Sequence, residues 1–370
     1  MAPLKEANAM LRRQVCLILA GILTLSIPAG GGFSQVIRRP GSETQSTQPQ
    51  QWTGRAKFTH FDDLAIGTLA SASKAAWVIA IDEDAPGDLG RFYIRGGKTN
   101  GIAQQFDAFY TKFDRIAIGD VLGEEAQNAR GNEIVVASDD NGGQIAIYNP
   151  VGLKLTTFKA SYYQSSGFAV GNVIGDSKAE ILIASGSKVL IYTGIGQLVG
   201  NFNVRWHFGG VRQTGDFCDR EFEFQAAVCV WPWEAFMVGD VVGDDYAEIV
   251  MIEGRSGAQD RSLVHVFDKR GNDIRKPFQL LSYHHDDGAA LGNIFGDAKK
   301  ELLVATHERD RLIPPYIGIY NIATGSQKEV RYWPVFTKYD GFACGNLSGT
   351  GTHDQILIVT DESGLAYIGG

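Results

Sequence analysis

The sequence lacks the motifs that mark common catalytic and nucleic-acid-binding proteins. It contains no G-x-S-x-G, no H-E-x-x-H and no cysteine paired with a histidine at a recognisable spacing. Its 34 lysines and arginines form no basic run, and 42 acidic residues bring the net charge to −8. This charge argues against nucleic acid and anionic membranes as partners.

Cysteine is scarce, with four in 370 residues. Cys16 lies in an N-terminal apolar run, and Cys344 lies inside an apolar strand, where a small buried hydrophobic residue is expected. Cys218 and Cys229 share one long insertion. In an oxidising compartment these two are predicted to form a disulfide.

The N-terminus predicts export from the cytoplasm. Basic residues precede the apolar run 15–27, and proline, alanine and glycines follow it, as in a secretory signal. We assign residues 1–34 to a signal peptide, with an uncleaved signal anchor as the alternative. Residues 35–54 are rich in Gln, Ser and Thr and predict a flexible linker. Both readings place the remainder in a secreted, extracellular or periplasmic location.

Six copies of one segment follow the linker. Each copy has a glycine at the end of a short apolar strand, and these six residues are called the marker glycines: Gly67, Gly119, Gly171, Gly239, Gly292 and Gly345. Their separations are 52, 52, 68, 53 and 53 residues, so a unit of about fifty residues repeats with one insertion.

The order within a copy predicts four short antiparallel strands. The marker glycine is followed by a turn and a second apolar strand. A third strand ends in an aromatic residue, and a glycine four or five residues later begins a polar fourth strand. The prediction is therefore an all-β, six-bladed propeller over residues 55–370, with an insertion at about 203–233. The stretch Arg55–Phe61 is expected to supply the outer strand of the last blade and so close the ring.

These segments resemble the FG-GAP repeats of the integrin α-chain propeller. The resemblance implies a calcium loop after each marker glycine, but the third ligand position has lost its oxygen here. The remaining candidate ligands are Asn172, Asp176, Glu180, Asp240, Asp244, Glu248, Asn293, Asp297 and Glu301. Weak calcium sites are one reading, with no cofactor required. In the other, the acids accept hydrogen bonds from turn amides while the aliphatic residue at position three packs between blades.

The insertion and one histidine-rich segment offer further candidates. Trp206, Trp231 and Trp233 predict an aromatic platform, or else they pack the insertion onto the propeller wall. His284 and His285 are followed by Asp286 and Asp287, which fits either a metal or acid–base site or a solvated loop.

Alignment on the marker glycines reveals a possible ring of ligand-binding residues. Five positions before them stand acids in five of six copies: Asp62, Asp114, Glu234, Asp287 and Asp340. One position earlier, four copies carry an aromatic residue: Phe61, Phe113, Trp233 and Tyr339. The hypothesis is a face that binds a cationic or hydroxyl-rich ligand. The alternative is that each acid hydrogen-bonds its own turn.

The functional prediction is a secreted, monomeric, non-enzymatic module that binds an extracellular glycan or protein through one propeller face. Two alternatives remain: a polysaccharide lyase or hydrolase on the same scaffold, and a structural envelope component. A mature domain inserted in a membrane is expected only if the signal is retained.

Overall fold

The structure is a computed structural model that describes most of the chain after residue 49. The described residues are 50–52, 58–59, 62–69, 75–85, 89–97, 101–123, 131–164, 166–208, 235–253, 262–280, 283, 287–297, 299–307, 315–333, 336–337, 340–348, 352–361 and 366–369. Cys16, Cys218 and Cys229 lie outside them, so the predicted disulfide stays a prediction.

Six antiparallel sheets form the six predicted blades, which confirms the fold class. Blades 1 to 3 contain β2 (Asp63–Thr68), β3 (Ala75–Ala85), β4 (Leu89–Gly96) and β5 (Ile102–Ala108); β6 (Arg115–Gly119), β7 (Glu133–Ser138), β8 (Gln144–Tyr148) and β9 (Lys154–Lys159); and β10 (Gly167–Gly171), β11 (Glu180–Tyr192) and β12 (Leu198–Phe208). Blades 4 to 6 contain β13 (Ala235–Gly239), β14 (Glu248–Glu253), β15 (Ser262–Phe267) and β16 (Phe278–Leu280); β17 (Gly288–Gly292), β18 (Glu301–Thr306), β19 (Tyr316–Asn321) and β20 (Ser326–Tyr332); and β21 (Gly341–Gly345), β22 (Gln355–Val359), β23 (Ala366–Gly369) and β1 (Gln50–Trp52). A short 3₁₀ turn covers Asp140–Gly142.

Blade 3 has three strands because β11 occupies both middle positions. Its first half pairs with β10, and its second half pairs with β12. Gly186 lies between the halves with a φ of 56°. The residues that lead from β12 into blade 4, which contain most of the predicted insertion, lie outside the described residues.

The inner strands β2, β6, β10, β13, β17 and β21 lie side by side in a closed ring. A Cβ added at five of the marker glycines would strike the residue just before the marker glycine of the next blade, and at Gly239 it would meet Lys300 first and Leu291 at 3.2 Å; the six residues are Ile118, Val170, Val238, Leu291, Cys344 and Ile66, in ring order. The glycines are therefore required by the close approach of neighbouring inner strands. This contact explains why the repeat carries a glycine at this position in all six copies.

One departure from the inner-strand pattern is compensated across a blade boundary. Two residues before the marker glycine, five blades have alanine, whereas blade 4 has Met237. The neighbouring strand of blade 5 has Ala289 where most blades have a large residue, and the two side chains pack in the same core cluster. The larger side chain of Met237 is thus offset by the smaller side chain of Ala289, as close packing requires.

The outer parts of the blades meet through a second repeated contact. The glycine after the third strand sits on a phenylalanine ring from the outer strand of the preceding blade, in the pairs Gly152–Phe106, Gly196–Phe158, Gly271–Phe202 and Gly325–Phe278. The aromatic residue that ends the third strand packs on the same ring, with centroids 5.9 Å apart for Phe106 and Tyr148. The aromatic-plus-glycine pattern is thus an interblade seam.

The ring is closed by the N-terminal part of the chain, but by an earlier segment than Arg55–Phe61. Strand β1, Gln50–Trp52, pairs antiparallel with β23 and lies within the stretch assigned to the linker. Phe58 has a different task, because its side chain is only 4% exposed and packs with Leu64 and Trp77 of blade 1. An outer strand needs no apolar periodicity, so the polar sequence of β1 concealed it.

Candidate ligand-binding site

The loops that follow the inner strands, here called exit loops, are held by their own acidic residues. In four blades the marker glycine pairs directly with a buried glutamate, and the carboxylate accepts hydrogen bonds from main-chain N–H groups in the loop: Glu133, Glu180, Glu248 and Glu301. The Oε2–N distance is 2.9 Å for Glu180 and Val173. In blade 6, Gln355 accepts from Ser348 in the same way.

The other candidate calcium ligands are engaged in the same loops. Asn172, Asp240 and Asn293 each accept a hydrogen bond from the glycine N–H three residues later. Asp176 and Asp244 accept from N–H groups two residues later, and Asp297 lies 3.9 Å from the Lys328 ammonium. Within the described residues, no three His, Cys, Asp or Glu side chains group as a metal site would require. The loop carboxylates therefore act as main-chain acceptors, while calcium binding stays untested.

The turns that precede the inner strands, here called lead-in turns, form the opposite face of the ring. In four of them the first and last residues are described, at 59 and 62, 111 and 114, 163 and 166, and 337 and 340, and all four pairs have the same two hydrogen bonds. The main-chain N–H of the last residue donates to the carbonyl of the first, and the side chain of the last accepts the N–H of the first. Ser166 accepts with its hydroxyl where the other three accept with an aspartate. This explains why blade 3 has serine at the position where the other copies have an acid.

The predicted ring acids point into these turns and not toward a ligand. Asp62, Asp114 and Asp287 are at most 8% exposed, and Asp340 is half-buried. Asp114 accepts N–H bonds from Thr111 and, at 3.2 Å, from Asp139 at the end of the second strand. Asp340 and Asp287 accept equivalent bonds from Asp361 and His307. For these residues the alternative interpretation of turn acceptors describes the geometry.

Burial changes the acid strength of several of these groups. Desolvation raises the pKa of Asp114 and of Asp340 to about 7, although the donated N–H bonds oppose the shift. In the exit loops, desolvation likewise raises the pKa of Glu133 and Glu248 to about 7 and raises that of Glu180. Acids on both faces are therefore perturbed by burial in a structural role.

The tip of the lead-in turn 111–114 displays a lysine and an aromatic ring. Phe113 adopts a left-handed conformation with φ of 75°, at a turn position that normally requires glycine or asparagine. Its ring is partly exposed, and the ammonium of the exposed Lys112 lies 4.8 Å from the ring centroid. The Phe113 carbonyl accepts a 2.9 Å hydrogen bond from the Tyr162 hydroxyl, which fixes the turn. A displayed, strained aromatic residue is a marker of function.

Alignment on the acids alone missed the anchor of each lead-in turn. Four residues before the acid, or before Ser166, stands a buried aromatic residue: Phe58, Tyr110, Tyr162, Tyr283 and Phe336. The sequence signal was present, because the segments FTHFD, YTKFD and FTKYD repeat one pattern at 58–62, 110–114 and 336–340. In that pattern the first aromatic is core and the threonine and aspartate close the turn, and at 111–114 the residues between them, Lys112 and Phe113, form its tip.

A groove opens between blades 1 and 2 beside this turn. Its cavity of about 200 Å³ is lined by Phe109, Val136, Ser138, Gln144, Ala146, Tyr148 and Lys154. Phe109 is 36% exposed, whereas Val136 and Tyr148 form a buried floor. Aromatic surface beside an amide and an ammonium is suited to a small polar ligand.

Several predicted site residues cannot be placed in this geometry. Phe61, Trp231, Trp233, Glu234, His284, His285, Asp286 and Tyr339 lie outside the described residues, and Trp206 lies on β12 with its side chain not described. Of the predicted ring, the structure therefore places four acids and one aromatic, Phe113. None of the described residues forms a helix long and apolar enough to cross a membrane.

Comparison with known proteins yields structural likeness only. No protein-family model and no curated protein matches the sequence. A solved structure of BBS1N in complex with ARL6DN is 16% identical, covering 85% of this chain and 93% of that chain with a TM-score of 0.49. A lectin of Agrocybe aegerita that recognises terminal N-acetylglucosamine is 11% identical, covering 80% and 74%, with a TM-score of 0.44. At these values neither ligand carries over, and the fold rests on the blades described above.

Proposed function

We propose that this protein is a secreted binding module that recognises an extracellular glycan through the lead-in face of its propeller. The N-terminal signal sequence supports export, and the repeats support descent from an FG-GAP-like propeller. The observation that carries the proposal is Phe113, whose ring is displayed on a fixed turn beside Lys112 in a conformation that costs a non-glycine residue about 1–3 kcal/mol. Aromatic rings beside hydrogen-bonding groups are the usual means of binding sugar rings.

A protein ligand is the second candidate, supported by a different surface. Val151, Leu153, Ile195 and Leu198 are each 48% exposed or more, on the turns between third and fourth strands of neighbouring blades 2 and 3. These turns lie on the exit-loop face, opposite the lead-in turns. Exposed apolar residues at such positions fit a protein contact better than a glycan.

The enzymatic alternative depends on a carboxyl group that can reach a ligand. Asp114 has the raised pKa of a general acid and lies beside the groove, because the Ser138 side chain contacts both. However, Asp114 is fully buried, and both of its oxygens accept main-chain N–H bonds. Direct proton transfer to a sugar would require these bonds to break, so binding without catalysis is the better-supported function.

The substitution Phe113→Gly tests the proposal on a glycan array run beside an affinity pulldown. Glycine removes the ring and relieves the left-handed strain, so we expect glycan binding to be lost. The free energy of unfolding should stay unchanged or rise by up to about 1 kcal/mol. Tyr332→Ala removes an exposed aromatic from blade 5 and should leave glycan binding intact. Glycan binding that survives Phe113→Gly, or a protein ligand captured with no glycan bound, would overturn the proposal.

A further inference from the structure

We infer that the groove between blades 1 and 2 binds one acidic sugar unit, a uronate, of the glycan chain. The inference rests on the proposed function for the kind of ligand, and it adds the sign of its charge and the subsite. The ring of acids predicted a cationic or hydroxyl-rich ligand, and this inference keeps the hydroxyl-rich ligand but gives it a negative charge. Those acids are turned into the protein, and the exposed charges along this groove are lysines.

Lys154 reaches the groove because of an irregularity in blade 2, whereas Lys159 lies in the regular part of the same strand pair. The register of β8 and β9 shifts between Ile147 and Tyr148, and after the shift Tyr148 pairs with Lys154, while Gln144 pairs with Lys159. Directly paired residues of an antiparallel sheet project from the same face. Since Gln144 and Tyr148 line the groove, Lys154 and Lys159 lie on the groove side of the outer strand, one at each end.

Neither lysine has a carboxylate partner among the residues that the structure describes. Lys154 and Lys159 are both exposed, and no ion pair joins them to a neighbour. On blade 1, Asp107 follows Phe106, whose ring packs on Tyr148, so Asp107 faces away from the groove and is paired with Arg91 at 2.7 Å. Asp140, at the lead-in end, accepts a hydrogen bond from the Thr111 hydroxyl. The two exposed lysines thus have no ion-pair partner on this wall, and of the two only Lys154 lines the cavity, where its charge favours an anion.

The shape of the groove favours a sugar ring. The cavity of about 200 Å³ is smaller than the roughly 300–1,000 Å³ of pockets for drug-sized ligands, so it accommodates a single small ring. Phe109 offers an exposed ring surface. The Gln144 amide nitrogen donates a hydrogen bond to the Thr157 hydroxyl, so its carbonyl oxygen is the group offered to a ligand. A carboxylated sugar would place its apolar face on Phe109 and its carboxylate near Lys154.

Calorimetric titration of the full-length protein with an oligomer of glucuronic acid tests the inference. The methyl ester of the same oligomer keeps the rings and removes the charge, and poly-glutamate keeps the charge and removes the rings. We expect the acidic oligomer to bind with much higher affinity than the methyl ester or poly-glutamate. Lys154→Gln should weaken its binding about ten- to a hundredfold, the usual effect of losing a charge-assisted hydrogen bond, and Lys159→Gln, outside the cavity lining, should weaken it less. Lys188→Gln, which removes an exposed lysine from blade 3, is the matched control.

The outcomes separate this inference from the proposed function. Equal binding of oligomer and methyl ester, or glycan binding that is insensitive to Lys154→Gln and Lys159→Gln, would overturn the acidic-sugar subsite alone. Equal weakening by Lys188→Gln would also overturn it, because the effect would then be one of net charge. Binding of poly-glutamate at similar strength would indicate an acidic protein ligand. Failure of every glycan, acidic or neutral, would overturn the proposed function as well.

Discussion

At both ends of the inner strands, a side-chain oxygen accepts hydrogen bonds from main-chain N–H groups, but the two ends differ in which residues vary between blades. At the exit loops, a buried glutamate in four blades and the half-buried Gln355 in blade 6 accept loop N–H groups, and the marker glycine fits against the next blade. At the lead-in turns, an aspartate or serine closes every described turn, but the tip residues change from blade to blade. The geometry repeated at both ends is structural, so the variable tip residues, of which the structure describes Lys112 and Phe113, are the place to look for binding.

The largest expected effect is a break in the exit end of the ring. Gly119→Ala places a methyl group against Val170 of the next blade, and overpacking of this kind costs about 1–3 kcal/mol of unfolding free energy. Adding Val170→Ala should recover part of the loss, because it frees the space that the new methyl group needs. Chemical denaturation of the single and double variants measures both. A Gly119→Ala protein of unchanged stability would show that the inner strands are not in close contact.

The pH dependence of stability, shared by both ends, is an effect that is smaller for each group and each pH unit. The raised pKa values of Asp114, Asp340, Glu133 and Glu248 mean that the folded protein holds these protons more tightly than the unfolded chain. Their contribution is therefore favourable at low pH and is lost as pH rises from about 4 to about 7. Each group changes the unfolding free energy by at most about 1.4 kcal/mol per pH unit.

The variants Asp114→Asn and Glu248→Gln assign this dependence to the two ends. Each should flatten the decline of unfolding free energy between about pH 4 and pH 7, whatever it does to stability itself. Denaturation series across this window provide the slopes. If wild-type stability instead rises through the window, the N–H bonds outweigh burial and these carboxyls are ionised in the folded protein.

The smallest expected effect is that of metal removal at the exit loops. The candidate ligands Asp240 and Glu248 already accept main-chain hydrogen bonds, and the third loop position is Val242. EDTA should therefore change the melting temperature less than either class of substitution above. A large decrease in melting temperature that is reversed by added calcium would show that these loops bind calcium.

The sequence predicted the fold better than the site. The glycine spacing and the strand order predicted six blades, and the aromatic-plus-glycine pattern marked a turn that the structure shows to be a seam. The closing strand Gln50–Trp52 was misplaced, because a polar outer strand resembles a linker. The acids Asp114 and Asp340 were located at the correct turns, but their orientation could not be read from spacing.

By itself, the sequence determined the repeat, and hence the architecture, because each copy carries the same small and large residues at the blade contacts. Only the tertiary structure decided the sign of the exposed charge at the candidate site. Whether the Asp114 carboxylate faces solvent or its own main chain depends on two N–H donors. One belongs to Thr111, three residues before Asp114, and the other to Asp139, 25 residues after it. Such distant donors meet one carboxylate only after the blade has folded.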